Sequence, residues 1–405
     1  MSEQITQDMK ASGVAQVLVF LKPEADSAAS SVKASIGDHF TRSEFSIASA
    51  VADDTDGMTA GRIPAMRYYP NLGVALGTVD RDGLSALRAD DSVDRVVGAP
   101  PLSLIHPSNP IAAELTSDFT WGIKALGVRE LWEEGHTGKG VIVGHLDTGL
   151  DGDHEALKDS IFAFTEFDRV GTKISPPKAY DSGNHGTHTA ATIAGRPVGG
   201  KYVGVAPGAK LASAIVIEGG NVPARVLGGM NWAIGNGVKI LSMSLGFQGW
   251  LTDFLPLTRI IRARGILPVF AIGNEYAGHS RSPGNYWQAL SVGACNEQLA
   301  VSDFSSSQLF KRKKDPTVPD LVAPGEGIIS AMPGGGYQSM NGTSMATPHI
   351  AGLAALLWEA RPNATASQIE NAIYGSCKLS QYMSQPRANR GLPNGPVALG
   401  LLPNP

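Results

Sequence analysis

NGTSMATPHIAGLAALLW (341–358) puts Ser344 where an apolar helix should begin, after a glycine and a threonine and ahead of the run IAGLAALLW. Two readings of that hydroxyl are open. A serine is a good N-cap, accepting a hydrogen bond from a free backbone N–H of the first turn. The same free N–H groups and the positive end of the helix dipole also favour negative charge, which suits a hydroxyl that reacts. Pro348 falls early enough in the helix for the hydrogen bond it deletes to cost little. The residues elsewhere in the chain decide between cap and nucleophile.

Working outward, short β-branched runs alternate with helical segments from about residue 121. VIVGHLD (141–147), KLASAIVI (210–217), VKILSMSL (238–245) and ILPVFAIGN (266–274) read as strands. HTAATIAG, ARVLGGMNWAIGN and DFLPLTRIIRARG read as the helices between them. That alternation predicts an α/β fold with a doubly wound, mostly parallel sheet. Ligands in such sheets bind beyond the carboxyl ends of the strands. Three polar clusters fall there. HLDTGLD carries Asp147 off a strand end, NHGTHTA opens a helix at His185, and the third holds Ser344. Aspartate, histidine and serine are the set that nucleophilic acyl transfer needs. The serine attacks, the histidine takes and returns its proton, and the aspartate fixes the tautomer and steadies the imidazolium. A fourth cluster, Gly273-Asn274-Glu275, ends the strand ILPVFAI, and an amide there can donate to a developing oxyanion.

These residues resemble the subtilisin-like serine peptidases. DTG, HGTHTA, SLG, GNE and GTSMATPH occur in that family's order and context over about residues 119–395. The chain order Asp, His, Ser separates the family from other triad enzymes. The resemblance implies catalytic roles for Asp147, His185 and Ser344 and an oxyanion role for Asn274. It also implies that Ser244-Leu245-Gly246 pairs with extended substrate, with Gly219 and Gly220 (after Glu218) supplying a strand on the other side. Gly273 belongs to the same cleft.

The N-terminal hundred residues differ in texture. GVAQVLVFLK, YYPNLGVALGTVD and VDRVVGAP read as strands, with helices at SAASSVKASIGDHF and RDGLSALRAD. This is a small α+β, ferredoxin-like arrangement. By resemblance it is a pro-domain that assists folding and inhibits through its C-terminal tail. The expected division is 1–105 pro-domain, 106–118 exposed linker with the processing site, and 119–405 peptidase domain. The protein is thus read as a serine endopeptidase made as a zymogen. The competing reading is a silent descendant that binds peptides with its pro-domain permanently in place.

With 42% hydrophobic and 17% charged residues and a net charge of −4, nothing points to nucleic acid or an anionic membrane. The run KRKK (311–314) reads as solvated surface. Expected partners are protein or peptide substrates and the chain's own pro-domain. No stretch is long and apolar enough for a membrane span, and the polar start MSEQITQDMKASG is no ordinary signal peptide. The chain is therefore expected to be cytoplasmic as synthesised, with leaderless secretion as an alternative. Cys295 and Cys377 allow one disulfide at most. His145 and His188 read as structural histidines, and HGTH lacks a third-ligand pattern for zinc.

Two departures from the family are visible. Relatives often hold a strong calcium ion between a loop in the histidine helix and an aspartate in an HPDL-like motif. Here that motif is His154-Glu155-Ala156-Leu157, and the loop GRPVGGKYVG has no acidic or amide side chain. No cofactor is expected, apart from weaker calcium sites elsewhere. EYAGHSRSPGNYW (275–287) also replaces the usual small-residue pocket floor, so Tyr276 or Arg281 is expected to narrow the pocket for the residue before the scissile bond.

Overall fold

A computed structural model describes residues 3–22, 29–41, 65–99, 101–217 and 219–403. The chain divides into two compact units. One comprises Met1–Leu102 with Phe167–Lys173 and Gly219–Trp232, and the other comprises the remainder.

The smaller unit carries an antiparallel sheet of four strands in the order β2-β3-β1-β4. They are β1 (Ala15–Leu21), β2 (Met66–Tyr69), β3 (Val74–Val79) and β4 (Val93–Gly98). Helices Glu3–Ser12, Ala29–Ile36 and Arg81–Ala89 accompany the sheet, and its core includes Ile5, Val17, Val19, Ile36, Val79 and Leu87. Arg81–Ala89 is capped by Asp80, whose carboxylate accepts from Gly83 N–H at 2.8 Å. YYPNLGVALGTVD, read as one strand, is two strands and a turn. Pro70 and Asn71 start the turn, and Gly73 completes it at φ +62°, a conformation other residues rarely take. The same unit contains most of the helix Val222–Gly235. There the Tyr69 hydroxyl donates to the Ala224 carbonyl, and Asn71 donates two hydrogen bonds to Asn231, from its N–H to Oδ1 and from its Nδ2 to the carbonyl.

The larger unit is built on an eight-stranded sheet in the order β18-β15-β13-β11-β7-β10-β8-β9. Its strands are β7 (Ile142–Asp147), β8 (Ile161–Phe167), β9 (Lys173–Ile174), β10 (Lys210–Ile215), β11 (Ile240–Met243), β13 (Leu267–Ala271), β15 (Leu290–Cys295) and β18 (Leu321–Pro324). The pairings from β8 through β18 are all parallel. Every residue of β11, β13, β15 and β18 is buried, as expected when helices cover both faces. The 18-residue helix Thr343–Ala360 runs through the core, all of it buried except Glu359. Short antiparallel pairs complete the unit: β12 (Leu245–Gln248) with β14 (Arg281–Ser282), β16 (Gln308–Leu309) with β17 (Thr317–Val318), and β19 (Ile328–Ala331) with β20 (Tyr337–Asn341).

The expected linker, 106–118, is mostly exposed, but part of it and the residues just ahead of it pair as strands. These are β5 (Ser103–Leu104), antiparallel to β12, and β6 (Ser108–Ala113), antiparallel to β20. Leu104, Ile105 and Leu115 are buried. Cys295 and Cys377 are both free thiols. Among the described residues no helix is long and apolar enough to cross a membrane.

Candidate active site

Asp147 is the last residue of β7 and His185 the first of the helix His185–Ala194. Both are buried, and His185 Nδ1 lies 2.7 Å from Asp147 Oδ1. The helix start is held by other segments rather than by its own cap residue. Gly186 N–H donates to Thr148 Oγ1 at 2.9 Å, and Thr187 N–H to Asp181 Oδ2 at 2.6 Å. Thr148 in turn donates its hydroxyl to Asp181 and its N–H to Asp147 Oδ1. A Cβ on Gly186 would lie 2.0 Å from the Gly149 carbonyl, so only glycine lets the helix approach the strand end this closely. Burial pushes the Asp147 carboxyl pKa up. The adjacent His185, its hydrogen bond, and His145 outweigh this and hold it below the ordinary value.

Ser344 is the second residue of its helix, and the cap position belongs to Gly342, with no side-chain cap bond. The serine hydroxyl donates instead to the Ile105 carbonyl at 2.7 Å. Asn274 follows β13, and its orientation is fixed from Thr343. The Thr343 N–H and hydroxyl both donate to Asn274 Oδ1, at 2.9 and 3.0 Å. This turns Asn274 Nδ2 outward, where it donates to the His106 carbonyl at 3.0 Å.

Ser244, Leu245 and Gly246 border the same segment. Leu245 pairs with Leu104 and Gly246 with Ser103, and Ile105 N–H donates to the Ser244 carbonyl at 3.0 Å. Beyond His106 the chain continues as β6, with Asn341 opposite Ser108 and Tyr337 opposite Ala113. The β20 strand also ties into the histidine loop, since the Gln338 side chain donates to the Asn184 carbonyl. Residues 103–113 thus run as one extended peptide past Ser244–Gly246, Ser344, Asn274 and β20.

Arg281 bridges the two strand ends beside this segment. Its Nε and Nη2 lie 2.7 and 2.6 Å from Glu275 Oε1, and its Nη1 donates to Ser103 Oγ at 2.9 Å and to the Gly246 carbonyl at 3.3 Å. Its stem packs beside Gly273. Tyr276 projects into solvent with 63% exposure. Among the described residues, Gly219 and Gly220 belong to no strand. They take φ of +82° and +70°, outside the extended region, and Glu218 lies outside the described residues. His188 is structural, its Nε2 2.9 Å from the Ile328 carbonyl and its pKa lowered by burial to about 3.

Sequence reasoning missed Thr148, Asp181, Thr189 and Thr343. They orient the polar groups above but belong to no acid–base set, so only tertiary contacts single them out.

A buried Asp–His pair and a serine at a helix head, all beyond the carboxyl edge of a parallel sheet, are the equipment of a hydrolase. Residues 138–393 match the subtilase family of peptidases, and the chain belongs to that family. Subtilisin E of Bacillus subtilis (strain 168) is 31% identical over 345 residues, covering 82% of each chain. Alkaline elastase YaB of Bacillus sp. (strain YaB) is 33% identical over 340 residues, covering 82% of this chain and 80% of its own. The major intracellular serine protease of Bacillus subtilis (strain 168) is 36% identical over 245 residues, covering 58% of this chain and 74% of its own. The protein is a subtilisin-like serine peptidase.

Proposed function

We propose that the protein cuts peptide bonds through Ser344, His185 and Asp147 and is made in a latent form that its own residues 103–113 block. The nucleophile is Ser344 Oγ. His185 takes its proton and later delivers it to the leaving amine, while Asp147 holds His185 Nδ1–H and steadies the imidazolium. Asn274 Nδ2, fixed by Thr343, and the backbone N–H of Ser344 hold the oxyanion.

The observation that carries this reading is the pairing of nucleophile and amide donor with successive carbonyls of one extended segment. Substrate would lie along Ser244–Gly246, as Ser103 and Leu104 do. Latency follows from the same geometry. Attack needs one carbonyl to face both Ser344 Oγ and Asn274 Nδ2. Here the serine meets Ile105 and the amide meets His106. A hydroxyl has one proton, and giving it to Ile105 withholds it from His185. The carbonyl that Asn274 holds precedes Pro107, so the bond behind it is a tertiary amide, and the serine is poised one residue away from it.

A fluorophosphonate probe tests the reading. Protein freed of residues 1–113 should be labelled at Ser344 and cleave casein, and the full chain should label far more slowly. Absence of labelling in the freed protein would leave only a peptide-binding role.

The cleft also suggests a substrate preference. Side chains two apart on a strand share a face, so those of Ser103 and Ile105 both point to the Arg281 side. Arg281, held by Glu275, would favour an aliphatic residue before the cut and a hydroxyl residue two positions earlier. Arg281→Ala should widen the first preference to aromatic residues and erase the second. A peptide-library profile unchanged by the substitution would refute the assignment.

The protein should also work without strong calcium at His154–Leu157. Ala156 brings no side-chain oxygen, and its carbonyl accepts from Arg196 N–H at 2.8 Å. Nearby, the Lys201 ammonium donates to the Leu115 carbonyl. A chelator should leave Tm unchanged.

A further inference from the structure

His145 stands two residues before Asp147 on β7, wholly buried, and a core strand has no evident need of an imidazole there. Its ring is engaged at both nitrogens. Nδ1 lies 2.9 Å from Ser213 Oγ on β10, and Nε2 lies 2.8 Å from Thr189 Oγ1 on the histidine helix. Nε2 is also 3.8 Å from Asp147 Oδ2. Thr189 Oγ1 lies 3.3 Å from that carboxylate oxygen, and 3.2 Å from each of the His185 and Gly186 carbonyls.

The tautomer decides what this chain of contacts does. If Nε2 were bare, the threonine would spend its only proton on it, the shortest contact, and a lone pair would face the carboxylate. If Nε2 carries the hydrogen, the threonine oxygen is satisfied as an acceptor and its proton is free for the strongest acceptor within reach. The carboxylate favours the second arrangement, and Ser213 can complete it by donating to Nδ1. Burial lowers the His145 pKa, which keeps the ring neutral and in need of a fixed tautomer.

We propose that His145 is a positioning residue which, as the neutral Nε2–H tautomer, commits the Thr189 hydroxyl to donate to Asp147 Oδ2. Asp147 Oδ1 is taken by His185 and Thr148 N–H. The relay from Ser213 through His145 and Thr189 holds the second oxygen, so the carboxylate cannot rotate out of the plane that His185 needs.

The inference rests on the reading of Asp147, His185 and Ser344 as the catalytic set, and its test separates the two. In protein freed of residues 1–113, Thr189→Val and His145→Leu should each lower kcat about tenfold, the worth of one hydrogen bond to a buried charge, with KM unchanged. Because the relay is serial, the double variant should be no worse than either single one. His145→Gln, which can present a donor near the Nε2 position, should recover part of the loss. A second arm needs no turnover. In full-length Ser344→Ala protein, the low-field proton resonance of His185 Nδ1–H should move upfield when Thr189→Val is added. Multiplicative losses of about a hundredfold, or an unmoved resonance in folded Thr189→Val protein, would overturn the relay. If His145→Leu fails to fold, Thr189→Val alone decides. An inactive parent enzyme with a shifted resonance would count against the catalytic reading and leave the relay standing.

Discussion

Pro348 lacks the N–H that would reach the Ser344 carbonyl four residues back, and the structure supplies a substitute. Ser244 Oγ donates to that carbonyl at 3.2 Å, so the Ser344 carbonyl stays satisfied despite the proline. The backbone carbonyl of Ser244 meanwhile accepts from Ile105 N–H, so one residue serves both the extended segment and the serine's helix. Ser244→Ala should therefore cost about 1 kcal/mol of stability, the usual net worth of such a bond. Pro348→Ala restores a backbone donor to the same carbonyl. In that background the Ser244→Ala cost should shrink, and equal costs in the two backgrounds, measured by chemical denaturation, would show that the hydroxyl has another role. Asp147, His185, Asn274 and Ser344 were legible because their side-chain chemistry is distinctive and their local motifs are strong. Thr343 and Thr189 were not, because a threonine hydroxyl announces nothing until its acceptor is known.

At the scale of elements, the buried parallel strands were the easiest to read. Runs such as VIVGHLD and ILPVFAI are rich in β-branched and apolar residues and bounded by glycine or polar residues, and the strands lie within a residue or two of those runs. The segment 106–118 was read as linker for an equally physical reason. Its prolines and polar residues give no period, and Ser103–Leu104 is too short to signal a strand at all. What makes β5 and β6 strands is the hydrogen-bonding edge each meets, at β12 and β20, rather than any preference of their own. If β6 contributes to latency, weakening its pairing should release the block. Replacing Ser108–Ala113 with glycine and serine should speed self-cleavage of the full chain, followed as appearance of the shorter form on a denaturing gel. Slower cleavage would mean that β6 presents the bond for cutting instead of guarding it.

A buried cluster of ionisable groups away from the candidate site bears on stability rather than chemistry. Asp320, just ahead of β18, is buried. It accepts from Ser291 N–H and the Tyr374 hydroxyl at 2.9 Å each, with Arg390 Nη1 3.4 Å away. Tyr374 also reaches Glu370, which pairs with Arg262. Burial is the largest influence on Asp320 and raises its pKa from 3.8 to about 6, against the hydrogen bond from Ser291 and the charge of Arg390. The pull on the partner runs the other way. Burial lowers the Arg390 pKa, but Asp320, Tyr374, Asp315 and Cys377 together outweigh it and leave it raised, so the guanidinium stays charged throughout. A carboxyl whose folded pKa exceeds its unfolded one binds its proton more tightly when folded. Its contribution is complete below about pH 4 and is lost as pH rises through about 6. Compared with Asp320→Asn, which cannot titrate, the native protein should lose relative stability between pH 4 and pH 7. Urea midpoints at the two pH values read this directly. A native protein that instead gains on the variant as pH rises would mean that the Arg390 pairing, not burial, governs Asp320.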